Sequence, residues 1–236
     1  MSPGPALVRT GFLGLDREGG LSAEERTLRA IDLSGRTVFD VGAFDGAHTL
    51  FFAERVGTGG RVFALDPHPD NRARISAVLS RVGVSNVSVR GYAAAARRGR
   101  IELVYPEDLG RGSADSRIKS RLLAEPGARR LTAEARNLDT EIARGRLPEP
   151  DLIKLDVEGY EGEVLEGLSA TARRRRPALF VELHGADSAQ EAANYRRVLG
   201  WLSEHDYSVT HVESGRLLRD PREVKGLYAG QHLHCT

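Results

Sequence analysis

A chain of 236 residues with a formal net charge of +1 has room for one α/β domain with a full core and is short for two. With 28% charged residues and near-neutrality, no global field favours nucleic acid or an anionic membrane, and no apolar run approaches the ~18 residues of a membrane span. The single Cys235 excludes an internal disulfide or a cysteine-built zinc site. It suits a reducing compartment, and no export signal is evident in MSPGPALVRTGFLG, so the expectation is a soluble, cytoplasmic protein.

Residues 1 to about 20, with Pro3 and Pro5, read as an irregular arm. Ser22 then caps a helix from Ala23 to Ile31, with Glu25 as its capping-box partner. Arm and helix (1–35) precede a main domain (36–236). A strand from Thr37 to Asp40 leads into a turn holding Gly42 and Gly46, and a helix opens at about Ala47 and stops at Gly57, Gly59 and Gly60. Arg61 to Leu65 form a second strand, ending in Asp66-Pro67. Ile75, Val78, Leu79 and Val82 mark an amphipathic helix that Gly83 ends. Val87 and Val89 open a third strand, and Ile101 to Tyr105 make another.

From Pro106 to Arg136 apolar residues are sparse, which predicts a lid or a partly disordered segment where substrate choice resides. Asp139 to Arg144 read as a short helix, Leu152 to Val157 as a buried strand and Glu161 to Leu168 as a helix. Ala178 to Leu183 give a fifth strand and Ala189 to Ser203 a helix. Tyr207 to Val212 and Leu233 to Cys235 supply the last strands, an antiparallel pair. Strands alternating with helices at this spacing predict a Rossmann-like, doubly wound sheet in a single α/β domain.

The turn after the first strand reads D-x-G-x-x-x-G. It lacks the Gly-Lys-Ser/Thr ending of a phosphate loop, and the dinucleotide fingerprint would need a glycine at Phe44. An acid before a loop of small residues suits a ligand with a cationic amino-acid end better than a pyrophosphate. Asp66, at the tip of the second strand, stands where a ribose is gripped through its hydroxyls. A nucleoside with a polar tail, such as S-adenosylmethionine, fits both acids.

Four stretches carry a family resemblance: DVGAFDGAHTLFFA (Asp40 to Ala53), ALDPHPDN (Ala64 to Asn71), NVSVRGYAAA (Asn86 to Ala95) and DLIKLDVEGYEGEVLEG (Asp151 to Gly167). From about Arg36 to His184 the chain resembles the FkbM-type methyltransferases. That resemblance implies the class I methyltransferase fold with a seven-stranded sheet. It also implies S-adenosylmethionine as cofactor, and a hydroxyl on a secondary metabolite or sugar-containing small molecule as methyl acceptor. Asp40, Gly42, Ala43, Phe44, Asp45, Gly46, Thr49, Asp66, Pro67, Tyr92, Ala93 and Asp156 are then the cofactor-binding candidates. Phe44 and Asp45 replace the family's usual Asn and aliphatic residue. Tyr92 and Ala93 fall where the family passes the adenine, although plain packing explains Tyr92 equally well. Thr49 either donates to the cofactor's carboxylate or back-bonds to its own helix.

Alternation places Lys154, Asp156 and Glu158 together at the C-terminal end of the fourth strand, with Glu182 and His184 at the end of the fifth. Asp156, Glu158 and His184 are the catalytic candidates, with His184 or a carboxylate as general base. Two other readings stay open. One is a divalent metal on Asp156, Glu182 and His184, which is not expected; the other is a structural salt-bridge set with Lys154 as counter-ion. Arg173 to Arg176 read as a solvated helix end, and His232 and His234 as an ordinary strand edge. The expected partners are a small-molecule acceptor and a homodimer mate, with no nucleic acid or membrane. Rival readings are N- or carboxyl-methylation, a non-catalytic nucleoside-binding protein, and a dehydrogenase.

Overall fold

The first strand, β1 (Thr37–Val41), is the hinge of the architecture, because it pairs in parallel with β2 (Arg61–Leu65) on one side and β7 (Leu152–Leu155) on the other. The computed structural model describes residues 20–106, 112–124, 126–184, 188–218 and 231–236. The expected N-terminal arm, but for its last residue, lies outside them.

In chain order the remaining elements are α1 (Ala23–Ala30), α2 (Ala47–Val56), α3 (Pro69–Val82), β3 (Val87–Arg90), β4 (Ala93–Ala94), β5 (Gly99–Tyr105), α4 (Ser116–Leu122), β6 (Arg129–Arg136) and α5 (Leu138–Ala143). After β7 come α6 (Glu161–Glu166), α7 (Ser169–Arg175), β8 (Ala178–Leu183), α8 (Ser188–Glu204), β9 (Val209–His211), β10 (Arg216–Leu218) and β11 (Gln231–Cys235). The main sheet has eight strands in the order β10-β9-β11-β8-β7-β1-β2-β3, not the expected seven. The addition is β10, three residues that pair antiparallel with β9. Its short, charged-polar flanks offer little alternation to read.

Strand alternation sorts the core onto two faces. Phe39, Val41, Phe63, Leu65, Ile153 and Leu155 pack with Val164, Leu165, Tyr195, Val198 and Leu202 of α6 and α8. Val38, Val62, Leu152 and Phe180 point the other way, against Leu28 of α1 and Phe51, Phe52 and Val56 of α2. Helices therefore cover both faces, as a parallel sheet requires.

The stretch from Pro106 to Arg136, expected as a lid or a partly disordered segment, holds regular secondary structure. Within it, α4 is a helix, and β6 pairs antiparallel with β5 along seven residues in a second, three-stranded sheet with β4. The inward positions of β6 are Ala133 and Ala135, whose small side chains carry almost no hydrophobic signal. Residues 107–111 and 125 of this stretch lie outside those described. His232 and His234 were expected at a strand edge, but β11 is interior, between β9 and β8. Arg173–Arg175 form the exposed last turn of α7, favourably placed on the helix dipole. No described helix is long and apolar enough to cross a membrane.

Candidate active site

A cleft of about 320 Å³ opens over the C-terminal ends of β1, β2, β7 and β8, where ligands bind in sheets of this topology. Its wall includes Gly42, Ala43, Phe44, Asp45, Asp66, Pro67, Tyr92, Ala93, Asp156, Glu158 and Glu182. The expected cofactor stretch and the expected acidic cluster thus meet in one cavity.

The turn after β1 is held by backbone constraints. Gly42 has φ +87°, and a Cβ there would stand 1.7 Å from the carbonyl oxygen of Asp156. Glycine therefore serves the approach of the chain to itself, closing the β1 turn onto the end of β7. Phe44 follows with φ +48°, and its N–H donates to Asp66 Oδ2 at 2.8 Å. Gly46, at φ +85°, starts α2 without a side-chain cap.

Asp66 also accepts the His68 N–H on Oδ1 (2.7 Å) and the Asn71 amide on Oδ2 (3.1 Å). Burial pushes its pKa up to about 6, against the pull of these donors. Next to it, His68 Nδ1 accepts the Asp70 N–H at 3.2 Å, so the proton of the neutral ring sits on Nε2. That Nε2 is buried and has no hydrogen-bond partner among the described residues. Burial also lowers the His68 pKa, which keeps the ring neutral. The part of the cleft near Asp66 therefore holds a carboxylate with one lone pair left and a buried N–H without a partner among the described residues.

Asp40 and Thr49 do not line this cavity. Asp40 is fully buried beneath it, where its Oδ2 accepts the Thr49 hydroxyl at 2.5 Å and Oδ1 has no partner among the described residues. The single O–H donor of Thr49 is spent there, which removes it as a donor to a ligand carboxylate. Asp40 seats the loop from below, opposite Lys154 in the β1–β7 register. Lys154 is 1% exposed and bonds Asp156 Oδ2 at 2.8 Å. Burial alone would lower its pKa, but Asp156 and Asp40 beside it push it up.

The acidic cluster forms, although not by strand alternation. β7 ends at Leu155, and Glu158 takes a left-handed φ of +54° that turns it back toward the cavity. His184 Nε2 lies 3.3 Å from Glu182, 3.7 Å from Asp156 and 3.8 Å from Glu158, and Nδ1 lies 3.2 Å from Glu161. Burial lowers the His184 pKa, but Glu161 and Glu182 outweigh it and hold the ring well above its ordinary value, as an imidazolium. Glu182 moves in the opposite sense. Burial raises its pKa, and bonds to His184 and His232 bring it well below the carboxylate range. Asp156, Glu158 and His184 bring ligand atoms within 4.8 Å of one another, whereas the metal set read from the sequence had Glu182 in place of Glu158.

Several residues in the wall or buried behind it were not foreseen. Glu161 is fully buried and accepts the Gly159 N–H (3.1 Å) and the Asn194 amide (2.8 Å) besides facing His184. It is the last acid of the K-x-D-x-E-G-x-E pattern, which could have pointed to it. Ile101, Leu103 and Tyr105 enter the wall from alternate positions of β5, and Glu24 and His48 from the first turns of α1 and α2. No local pattern marks these, because long-range packing alone delivers them.

A doubly wound parallel sheet with a glycine turn after its first strand and an acid after its second is the Rossmann-like fold of the class I methyltransferases. Residues 40–209 match the methyltransferase FkbM domain, and the chain belongs to that family. It is 26% identical over 153 residues to the hexuronic acid methyltransferase AglP of Haloferax volcanii, a match covering 62% of this chain and 55% of that protein. The chain thus spans about half the length of this curated relative. Among solved structures it resembles a methyltransferase FkbM from Methylobacillus flagellatus (TM-score 0.56, 19% identity), over 96% of this chain and 48% of that one. It also resembles an O-methyltransferase from Bacillus cereus in complex with SAH (TM-score 0.53, 13% identity), over 90% and 79% of the two chains. At these identities the likeness speaks for the fold. S-adenosylmethionine is the cofactor of this class, and the cleft fits it: the buried His68 donor and Asp66 suit a nucleoside, and the N-terminal turn of α2, where among the described residues Asp45 takes only the Ala47 N–H at 3.0 Å, suits a tail carboxylate.

Proposed function

We propose that the protein transfers a methyl group from S-adenosylmethionine to a hydroxyl of a small molecule, a secondary metabolite or a sugar-containing one. The observation that carries this reading is the meeting of Asp66 and the β1 turn with Asp156, Glu158 and Glu182 in one cavity. A nucleoside-binding module that performed no transfer would have no use for three carboxylates at the same mouth. The sugar-containing acceptor draws support from AglP, whose name records a hexuronic acid methyltransferase.

When bound, the cofactor supplies a methyl on a positively charged sulfur, which an acceptor oxygen displaces in line. Asp66 would accept from the ribose and His68 would donate beside it, while Tyr92 and Ala93 would flank the base. The start of α2 takes the tail carboxylate. Positioning of this kind supplies most of the acceleration in such a displacement.

The acceptor hydroxyl loses its proton as the bond forms. His184 already carries a proton, and Glu182 is held anionic as a weak base. The proton therefore passes to Asp156 or Glu158, with the His184 imidazolium balancing the charge of the mouth. His184 is thus a positioning residue and not the general base.

Calorimetry with S-adenosylmethionine and its demethylated product tests the cofactor. Mass spectrometry of metabolites from cells with and without the protein, seeking the gain of one CH₂ group, tests the transfer. Tight binding of NAD without binding of either sulfur compound would overturn the reading.

A further inference from the structure

Glu24 belongs to α1, before residue 40 where the family match begins, yet its side chain lies in the cleft wall beside Phe44, Asp45 and Ala47. The helix that carries it is firmly seated. Leu28 is fully buried against α2, the Ser22 hydroxyl caps the Glu25 N–H at 3.0 Å, and Arg55 donates to the Arg29 carbonyl at 3.0 Å. The Glu24 carboxylate is held as well. His48 Nε2 lies 2.6 Å from Oε1, and His232 Nε2 lies 3.6 Å from the same oxygen. Both contacts fall on Oε1, and Glu24 is one of the residues that line the cavity.

The cleft wall therefore carries two separately held acids from different elements: Asp66, where the nucleoside lies in the proposed function, and Glu24 of α1, which His48 ties to the first turn of α2. A ligand spanning them carries hydroxyls at one end and a cation at the other. We propose that Glu24 is the receptor for the α-ammonium of the cofactor's amino-acid tail, a binding residue contributed by the N-terminal helix. This rests on the proposed function. Glu24 Oε2 accepts from the ammonium, His48 keeps the carboxylate oriented, and the tail carboxylate turns away toward α2.

Two probes separate this role from others: S-adenosylhomocysteine, which has the tail, and 5′-methylthioadenosine, which shares the nucleoside and thioether but lacks the amino acid. Calorimetry on the full chain and on Glu24→Gln reads both. The expected result is an affinity for S-adenosylhomocysteine that falls about tenfold or more in the variant, the worth of a charge-assisted hydrogen bond, with 5′-methylthioadenosine unchanged. A parallel loss for both probes would reduce Glu24 to a prop for α1 and overturn the proposal. No loss for either would overturn it too. If the unaltered protein bound neither probe, the cofactor reading itself would fall, which is a distinct result.

Discussion

The carboxylate of Asp66 accepts the backbone N–H of Phe44 at 2.8 Å, so the acid at the tip of β2 holds the turn that leaves β1. In the proposed function one side chain would thus serve both as the ribose acceptor and as the clasp of the loop opposite. Its burial, with pKa near 6, makes both duties sensitive to pH.

Ribose hydroxyls need an ionised acceptor, so the affinity for S-adenosylhomocysteine should decline as pH falls below about 6. Stability moves the other way. The folded pKa lies above the unfolded value of 3.8, so the folded state binds the proton more tightly and loses stability as pH rises from about 4 to 6. At neutral pH the cost is about 3 kcal/mol. Binding isotherms and urea midpoints across pH 4 to 7 should therefore slope in opposite directions. Asp66→Ala should abolish binding and flatten its share of the stability slope.

Gly42 and Gly83 both have positive φ, but their surroundings differ. A Cβ at Gly42 strikes the Asp156 carbonyl, whereas one at Gly83 meets nothing within 4 Å. Gly83→Ala should cost about 1 kcal/mol, the strain of a left-handed residue. Gly42→Ala should cost on the order of 3 kcal/mol or more and lose cofactor binding, because the turn and β7 cannot both keep their places. Paired denaturation curves would check the contrast.

What was legible in the sequence followed from periodicity and punctuation. Ala178–Leu183 is a short, nearly continuous apolar run bounded by Pro177, so β8 could be read to the residue. Ile75 and Leu79 gave α3, and the acids at 66, 156, 158 and 182 did reach one cavity. Long-range pairing was not legible. The strand Ile101 to Tyr105 could be read, but its partner β6 hides its inward face behind Ala133 and Ala135, so the second sheet and the place of Ile101, Leu103 and Tyr105 in the cleft wall could not. Asp40 was misplaced for a related reason. Its position before Gly42 is common to a ligand contact and a buried support, and only the Thr49 and Lys154 neighbours separate the two.

The proton acceptor can be located by the pH dependence of turnover. If His184 were the base, activity would rise only well above pH 6.5, where its imidazolium deprotonates. With Asp156 or Glu158 in that role, activity should not follow the deprotonation of His184. Glu158→Gln or Asp156→Asn should lower kcat about a hundredfold or more in the variant that removes the base, with S-adenosylhomocysteine affinity kept in Glu158→Gln. His184→Ala would strand the buried Glu161 charge and unfold at lower denaturant, so a stability measurement belongs beside its rate.

Lys154 and Asp40 offer the sharpest test of how the site is supported. Both are buried on neighbouring strands, and the Asp40 carboxylate helps to hold the Lys154 ammonium charged. Removing one member leaves the other as a buried charge with less compensation. Lys154→Met should therefore cost about 3–5 kcal/mol by urea denaturation. Asp40→Asn alone should also destabilise, through Lys154 and through the Thr49 hydroxyl it receives. In the double variant, Asp156 keeps its opening to the cleft and no buried charge remains at 40, so the combined loss should fall short of the sum by 1 kcal/mol or more, within the usual range of coupling between neighbours. Strictly additive losses would mean that the two charges do not sense each other across the β1–β7 register, and that Asp40 supports the loop through Thr49 alone.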